Sequence, residues 1–259
     1  MGEPAAAAFD AEARVYDEGF GRNPVGLVFR HVFQERLRAL FPQHARVVDL
    51  GCGTGEDAVF LAARGVRIHA LDVAPGMVES TRTKALERGL PTHALLAEVG
   101  AAEDVGRLGG PFDGAYSDFG ALNCADLRRV GEGLAAVLRP GAPVLMSLMG
   151  PRPLPHALKR LLTGRGERRG SADPRVSGTA VEARYPDVGE VQDLMGRAFV
   201  WRDVFALGLL LPDPSHEAWV REHPQVFGIL AALEGSLRRW PVLRGWGDHV
   251  VLEGARRAS

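Results

Sequence analysis

The sequence predicts an α/β fold: a doubly wound, mostly parallel sheet of seven strands with helical cap insertions. Three observations predict it. From Arg46 to Gly150 short apolar runs alternate with helical patterns, which is how crossover helices come to lie on both faces of a parallel sheet. A glycine-rich turn, Gly51–Gly55, joins the first run to the first helix. Beyond Gly150 the alternation is interrupted by Pro151, Pro153, Pro155, Gly164, Gly166 and Gly170, as in an inserted segment.

The elements follow in order. A leading helix spans about Val25 to Leu40. Val47–Leu50 is a buried strand, and Glu56–Arg64 is a helix stopped at Gly65. Arg67–Val73 is a strand ending in an acid. Pro75 opens a helix at the position where its missing N–H costs nothing, and that helix stops at Gly89. Thr92–Ala97, Phe112–Asp118 and Pro143–Leu148 are strands, with a helix over Asp126–Leu138 between the last two. In the insertion a short helix covers His156–Leu162 and Val176–Tyr185 is extended. Pro186–Arg197 is a helix, Phe199–Leu210 a strand, and Pro214–Trp240 one long helix or two short ones broken at Pro224. Asp248–Glu253 is the last strand. The chain is read as one domain, 1–259: an N-terminal helical lid (1–45), a core (46–150), and caps at 151–180 and 211–247.

Apolar residues make up 46% of the 259, enough for a sizeable core. The formal net charge of -1, from 31 basic and 32 acidic residues, gives no overall attraction to nucleic acid or anionic membrane. Two cysteines, Cys52 and Cys124, make no disulfide framework and fit a reducing compartment. The N-terminus has no secretory pattern, and no run approaches the length of a membrane span. A cytoplasmic monomer or homodimer, with a small-molecule partner and neither nucleic acid nor membrane, is expected. No histidine pair has metal-ligand spacing, so no metal is expected; one of His31, His156, His216, His223 and His249 could be a general base, but the sequence gives none of them a partner and each reads as structural or solvated.

The segment Asp49-Leu50-Gly51-Cys52-Gly53-Thr54-Gly55 carries the chemistry. Its glycines let the backbone turn sharply and let a ligand lie against it. The helix that follows presents free N–H groups. Asp72, at the end of the next strand, suits the two hydroxyls of a ribose. The spacing departs from the dinucleotide fingerprint, and Asp49 before the loop suits a cationic amino group better than a pyrophosphate. No GK[ST] follows, which excludes a P-loop.

These residues resemble the class I, Rossmann-like methyltransferases, and bacterial small-molecule ones in particular. Asp49–Gly55 is similar to their first motif. Leu71-Asp72-Val73-Ala74-Pro75-Gly76-Met77 resembles the second acidic site, Phe112–Tyr116 the strand-four motif, and Leu138-Arg139-Pro140-Gly141 the turn before strand five. The resemblance implies S-adenosyl-L-methionine as cofactor. Gly51, Cys52, Gly53 and Gly55 would line it, Asp49 would hold its amino acid part, Asp72 and Val73 would bracket the ribose, and Met77 would pack on the adenine. Around Ala101-Ala102-Glu103-Asp104, either Glu103 or Asp104 takes the adenine contact beside Ala102.

Asp118 and Asn123, in the loop after strand four, lie next to the transferable methyl group by this resemblance and could orient a substrate hydroxyl or amine. The competing reading is a loop capped by its own side chains. Tyr16 is a candidate lid residue, although a surface helix packing on the sheet is an equal reading there. The run Lys159, Arg160, Arg165, Arg168, Arg169 reads as a solvated loop. The apolar set Trp219, Val226, Phe227, Ile229, Leu230, Leu233 and Trp240 reads as core or as one wall of a pocket. The expected reaction is methyl transfer to an O or N, possibly C, nucleophile of a small organic molecule. A nicotinamide-dependent oxidoreductase and a non-catalytic cofactor-binding protein are the alternatives. Asp72→Ala is expected to remove cofactor affinity with little loss of fold.

Overall fold

The structure is a computed structural model that describes residues 3–13, 21–164, 169, 175–176 and 178–258. Tyr16 lies outside the described residues, as do Arg165 and Arg168.

Five parallel strands build the core of the sheet: β1 (Arg46–Leu50), β2 (Arg67–Asp72), β3 (Leu95–Val99), β4 (Gly114–Ser117) and β5 (Pro143–Met149). A hairpin of two short strands, β6 (Arg175–Val176) and β7 (Thr179–Ala180), stands apart. β8 (Phe199–Leu207) and β9 (His249–Arg256) complete a seven-stranded sheet in the order β3-β2-β1-β4-β5-β9-β8. Only β9 runs against the rest, paired antiparallel to both β5 and β8. The strand order reverses between β1 and β4, and ligands bind at such a switch point, outside the carboxyl ends of the strands.

The central strands are apolar on both faces because helices cover both. Val47, Val48, Asp49 and Leu50 of β1 are all buried, as in a sheet flanked on two sides. On one face lie α2 (Pro24–Leu40), α3 (Glu56–Ala62) and α4 (Pro75–Glu87), of which α2 contributes Phe29, Phe33 and Leu37 to the core, while α1 (Glu3–Glu12) packs on α4 and on the hairpin. On the other, α5 (Leu127–Val137) buries Leu127, Val130, Leu134 and Val137 at the spacing of a single helical stripe. Asp126 caps that helix by accepting from the backbone of Arg128 and Arg129. α6 (Leu154–Thr163) and α7 (Val188–Met195) follow, the latter opened by a capping box between Asp187 and Glu190. α8 (Glu217–Glu222) and α9 (Pro224–Leu237) end the series, broken at Pro224 as the sequence suggests.

Three expectations need correction. The third strand begins at Leu95 rather than Thr92, because the Ala94 N–H folds back onto the Pro91 carbonyl in a turn. The fourth begins at Gly114, Phe112 making only a bridge to Leu138. The apolar set of 219–240 divides: Trp219, Phe227 and Leu230 pack on the core, while Val226, Ile229, Leu233 and Trp240 are exposed.

The loop leaving β8 is held by one buried side chain. Glu234 of α9 accepts from the backbone N–H of Gly208, Leu210 and Leu211 at 2.8, 3.0 and 3.3 Å. Glu234→Ala strands three buried donors. It is expected to lower the free energy of unfolding by at least about 2 kcal/mol, read as a lower urea midpoint at unchanged slope.

Candidate active site

The glycine loop takes its shape from the end of the neighbouring strand. The Leu71 carbonyl accepts from both Gly51 and Cys52, at 2.8 and 2.9 Å. The Asp72 carboxylate accepts from Gly53 N through Oδ2 and from Ala74 N through Oδ1, each at 2.9 Å. Gly55 ends the loop with φ at +81°, and a Cβ there would meet the Thr81 side chain at 2.5 Å. At Gly53 (φ +53°) a Cβ would meet nothing within 4 Å, because that position faces open space.

The space is a cavity of about 220 Å³. The predicted residues Gly51, Gly53, Asp72, Val73, Met77 and Ala102 line it, and so does Asp118. Phe9 of α1 and Val176 and Val181 of the hairpin segment close it from above. α1 is fastened there by Asp10, whose Oδ1 accepts from Gly76 N at 2.5 Å. Cys124 also lines the wall, and burial pushes its thiol up to about 11, so it stays protonated at neutral pH.

A smaller polar cavity adjoins it through Gly51, Gly53 and Asp118 and brings together Asp49, Asp57, Asp118 and Arg30. Arg30 donates to Asp57 Oδ2 at 2.7 Å. The Tyr116 hydroxyl donates to Asp49 Oδ2 at 2.8 Å, and burial holds the Asp49 carboxyl well above its usual range. Asp118 accepts from Phe119 N through Oδ1 at 2.7 Å, while its Oδ2 is sealed without a hydrogen-bond donor. Burial, and then the neighbouring Asp57, hold Asp118 well above the ordinary carboxylate range, with Arg30 partly opposing. Among the described residues no cluster of His, Cys, Asp or Glu is arranged to hold a metal ion.

Other sequence-derived candidates face elsewhere. Asn123 donates both amide hydrogens to the carbonyls of Met149 and Arg184 and accepts from Met149 N at 2.8 Å. It ties the loop after β4 to β5 and to the hairpin segment. Glu103 Oε1 accepts from Asp126 N at 3.1 Å, at the start of α5. Cys52 lines the polar cavity, its Sγ 3.6 Å from Thr81 Oγ1. Arg169, read as solvated, is half-buried and ion-paired with Asp248.

Sequence reasoning passed over Phe9, Asp57 and Val176, and it weighed His249 only as one of five histidines without a partner. Asp57 sits one residue into α3, where an acid suits the helix N-terminus, so it had an ordinary explanation. The signal for His249 was its place beside Asp248 at the head of the last strand, and it required knowing that this strand runs backwards.

With this geometry in hand, comparison with known proteins is informative. Residues 47–141 match a family model described as a methyltransferase domain. Over those residues the chain is similar to a methyltransferase domain. The malonyl-[acyl-carrier protein] O-methyltransferase of Serratia marcescens is 31% identical over 141 residues, 54% of this chain and 52% of that protein. The aklanonic acid methyltransferase of a Streptomyces species (strain C5) is 43% identical over 119 residues, 42% of this chain and 50% of that protein. The domain is thus shared, and the chain spans about half the length, or less, of the curated relatives it matches. The geranyl diphosphate C-methyltransferase of Streptomyces coelicolor A3(2), solved with S-adenosyl-L-homocysteine, superposes with a TM-score of 0.58 at 15% identity, covering 88% of this chain and 81% of that one. That likeness establishes the fold alone.

Two outcomes follow. Asp72→Ala loses two loop hydrogen bonds as well as the expected ligand contact. The expectation of an undisturbed fold is therefore revised to a loss of about 1–3 kcal/mol, measured by urea unfolding. Asp118→Asn removes a carboxyl whose folded pKa is raised. Such a group destabilises the fold increasingly as pH climbs above the unfolded value and has no effect below it. The Asn variant is therefore expected to melt about 2–5 °C higher than wild type at pH 8 and to match it at pH 4, by scanning calorimetry without ligand.

Proposed function

We propose that the chain is an S-adenosylmethionine-dependent methyltransferase acting on a small organic molecule, with oxygen as the first choice of acceptor atom and nitrogen or carbon as others. One observation carries this reading: a cavity apolar at one end and acidic at the other, with the Asp72 carboxylate between them. Met77, Ala102 and Phe9 offer an apolar slot for a flat base. Asp72 keeps lone pairs beyond its two backbone bonds for ribose hydroxyls. Asp49, Asp57 and Asp118 form a carboxyl cluster that an ammonium group, as countercharge, would draw into the ionised form. The donor set thus fits the cofactor from end to end.

When bound, that cofactor supplies an activated methyl group on a sulfonium. The chain's residues then have to align the acceptor and keep water out. Phe9, Val176 and Val181 cover the cavity and serve the second task. The loop 118–120 serves the first, since Asp118 locks Phe119 (φ +46°) through its backbone N–H. Oxygen is favoured because the Serratia marcescens relative is named as an O-methyltransferase. The segment 151–180, the stretch 211–247 and the leading helices are read as a cap over a compact substrate. No helix of the described residues is long and apolar enough to cross a membrane.

A nicotinamide dinucleotide fits less well. Its pyrophosphate would add negative charge beside Asp49, Asp57 and Asp118, a carboxyl cluster whose ionisation burial and mutual repulsion already oppose. Calorimetric titration separates the two. S-adenosylhomocysteine is expected to bind with a dissociation constant in the micromolar range and NAD to give no heat. Binding of NAD alone overturns the proposal.

A further inference from the structure

A second cleft, of about 290 Å³, opens at the same edge of the sheet. It shares Phe119 and Met149 with the large cavity, so the two spaces adjoin there. Its polar wall is Arg169, Asp213, Asp248 and His249. His249 arrives here because β9 runs antiparallel, its first residue opposite Met149 at the last position of β5. The ring is buried edge-on between Phe29 and Phe119, with centroids at 5.8 and 5.7 Å.

The surroundings of the two ring nitrogens differ. Nδ1 lies 2.9 Å from Asp248 Oδ2, an ion-pair contact without the alignment of a hydrogen bond. Nε2 has no hydrogen-bond partner among the described residues, and the residue lines the cleft. Asp248 is fixed in turn by Arg169, which pairs with its Oδ1 and also donates to its backbone carbonyl at 2.7 Å. Burial would raise the Asp248 carboxyl, but His249 and Arg169 hold it well below the usual range. A histidine with a purely structural role usually has both nitrogens engaged. This one has a single polar neighbour, the Asp248 carboxylate, a contact that a small turn of the ring would convert into the hydrogen bond of a base held by a carboxylate.

We propose that this cleft receives the acceptor and that His249 is its catalytic base, taking the proton of a phenolic or enolic hydroxyl, with Asp248 as a positioning residue. The proposal rests on the methyltransferase reading. As the acceptor oxygen forms its bond to the methyl carbon, the carbon–sulfur bond breaks and its electron pair stays on sulfur. The hydroxyl proton passes to Nε2. The class of acceptor follows from the cleft: Phe119, Met149 and Pro214 suit a flat apolar body, and an already ionised carboxylic acid would need no base.

Two measurements test this. The first needs no acceptor: ¹⁵N-histidine NMR of the whole protein reads the tautomer of neutral His249. The proton is expected on Nδ1 in wild type and redistributed in Asp248→Asn. A proton on Nε2 in wild type overturns the proposal. The second assays methyl transfer from S-adenosylmethionine to catechol, juglone, methyl hydroxybenzoate and dimedone, with benzoic acid and benzylamine as controls. His249→Gln is expected to lower kcat on the hydroxyl acceptors about 100-fold or more, with KM and S-adenosylhomocysteine affinity within about twofold. The deficit is expected to narrow as pH rises past the acceptor's own pKa. Besides Asp248, the charged groups facing the ring are Arg169 and Asp213, the latter 3.8 Å from His156, with Arg30 over the Phe119 ring. The profile is therefore compared between wild type and variant. Equal kcat on the hydroxyl acceptors overturns the role of His249. A protein that binds S-adenosylhomocysteine yet methylates only the controls, or nothing, overturns the acceptor class. One that binds none overturns the methyltransferase reading itself.

Discussion

The shape of the glycine loop is imposed by the strand beside it. Leu71 and Asp72 close β2 with one carbonyl and one carboxylate, and between them they take the N–H groups of Gly51, Cys52 and Gly53. The loop therefore cannot relax without disturbing the β1–β2 pairing, which runs in register from Arg46↔Arg67 to Leu50↔Leu71. The placement of Asp49 before the loop, of α3 after it and of the open face at Gly53 all depend on this clasp. The same Asp72 that is read as a ribose ligand is thus also a structural clamp. A ligand bound there and the loop itself would share one carboxylate.

The core was legible from sequence because its signals are local. Short β-branched runs, glycine after α3 and α4 and proline at the first turn of α4 all act within a few residues. Gly51, Gly53, Asp72, Val73 and Met77 lie within one stretch that runs from the loop after β1 to the first turn of α4, so their joint lining of one cavity could be read directly. Boundaries failed where a local turn competed with the strand, as at Pro91–Ala94.

Other parts of the site were not legible, for a different reason. Phe9 reaches the cavity because Asp10 fastens α1 to the start of α4, 66 positions further on. Asp57 matters because Arg30, on another helix, turns toward it. The outward face of α9 could not be told from an inward one by periodicity, since both carry apolar residues. Asn123 was read for its chemistry when its amide was in fact committed to the backbone on either side.

The antiparallel β9 has a consequence for how such a site comes into being. It lies between β5 and β8, not at the rim, so the sheet cannot be finished by adding strands outward in the order they are made. The 143–149 strand must wait, with one side unpaired, until a stretch about a hundred residues later is threaded in beside it. Contacts this distant in sequence are slow to form. A partly folded chain can therefore already possess its glycine loop and the cavity beside it and still lack Asp248 and His249, one wall of the second cleft.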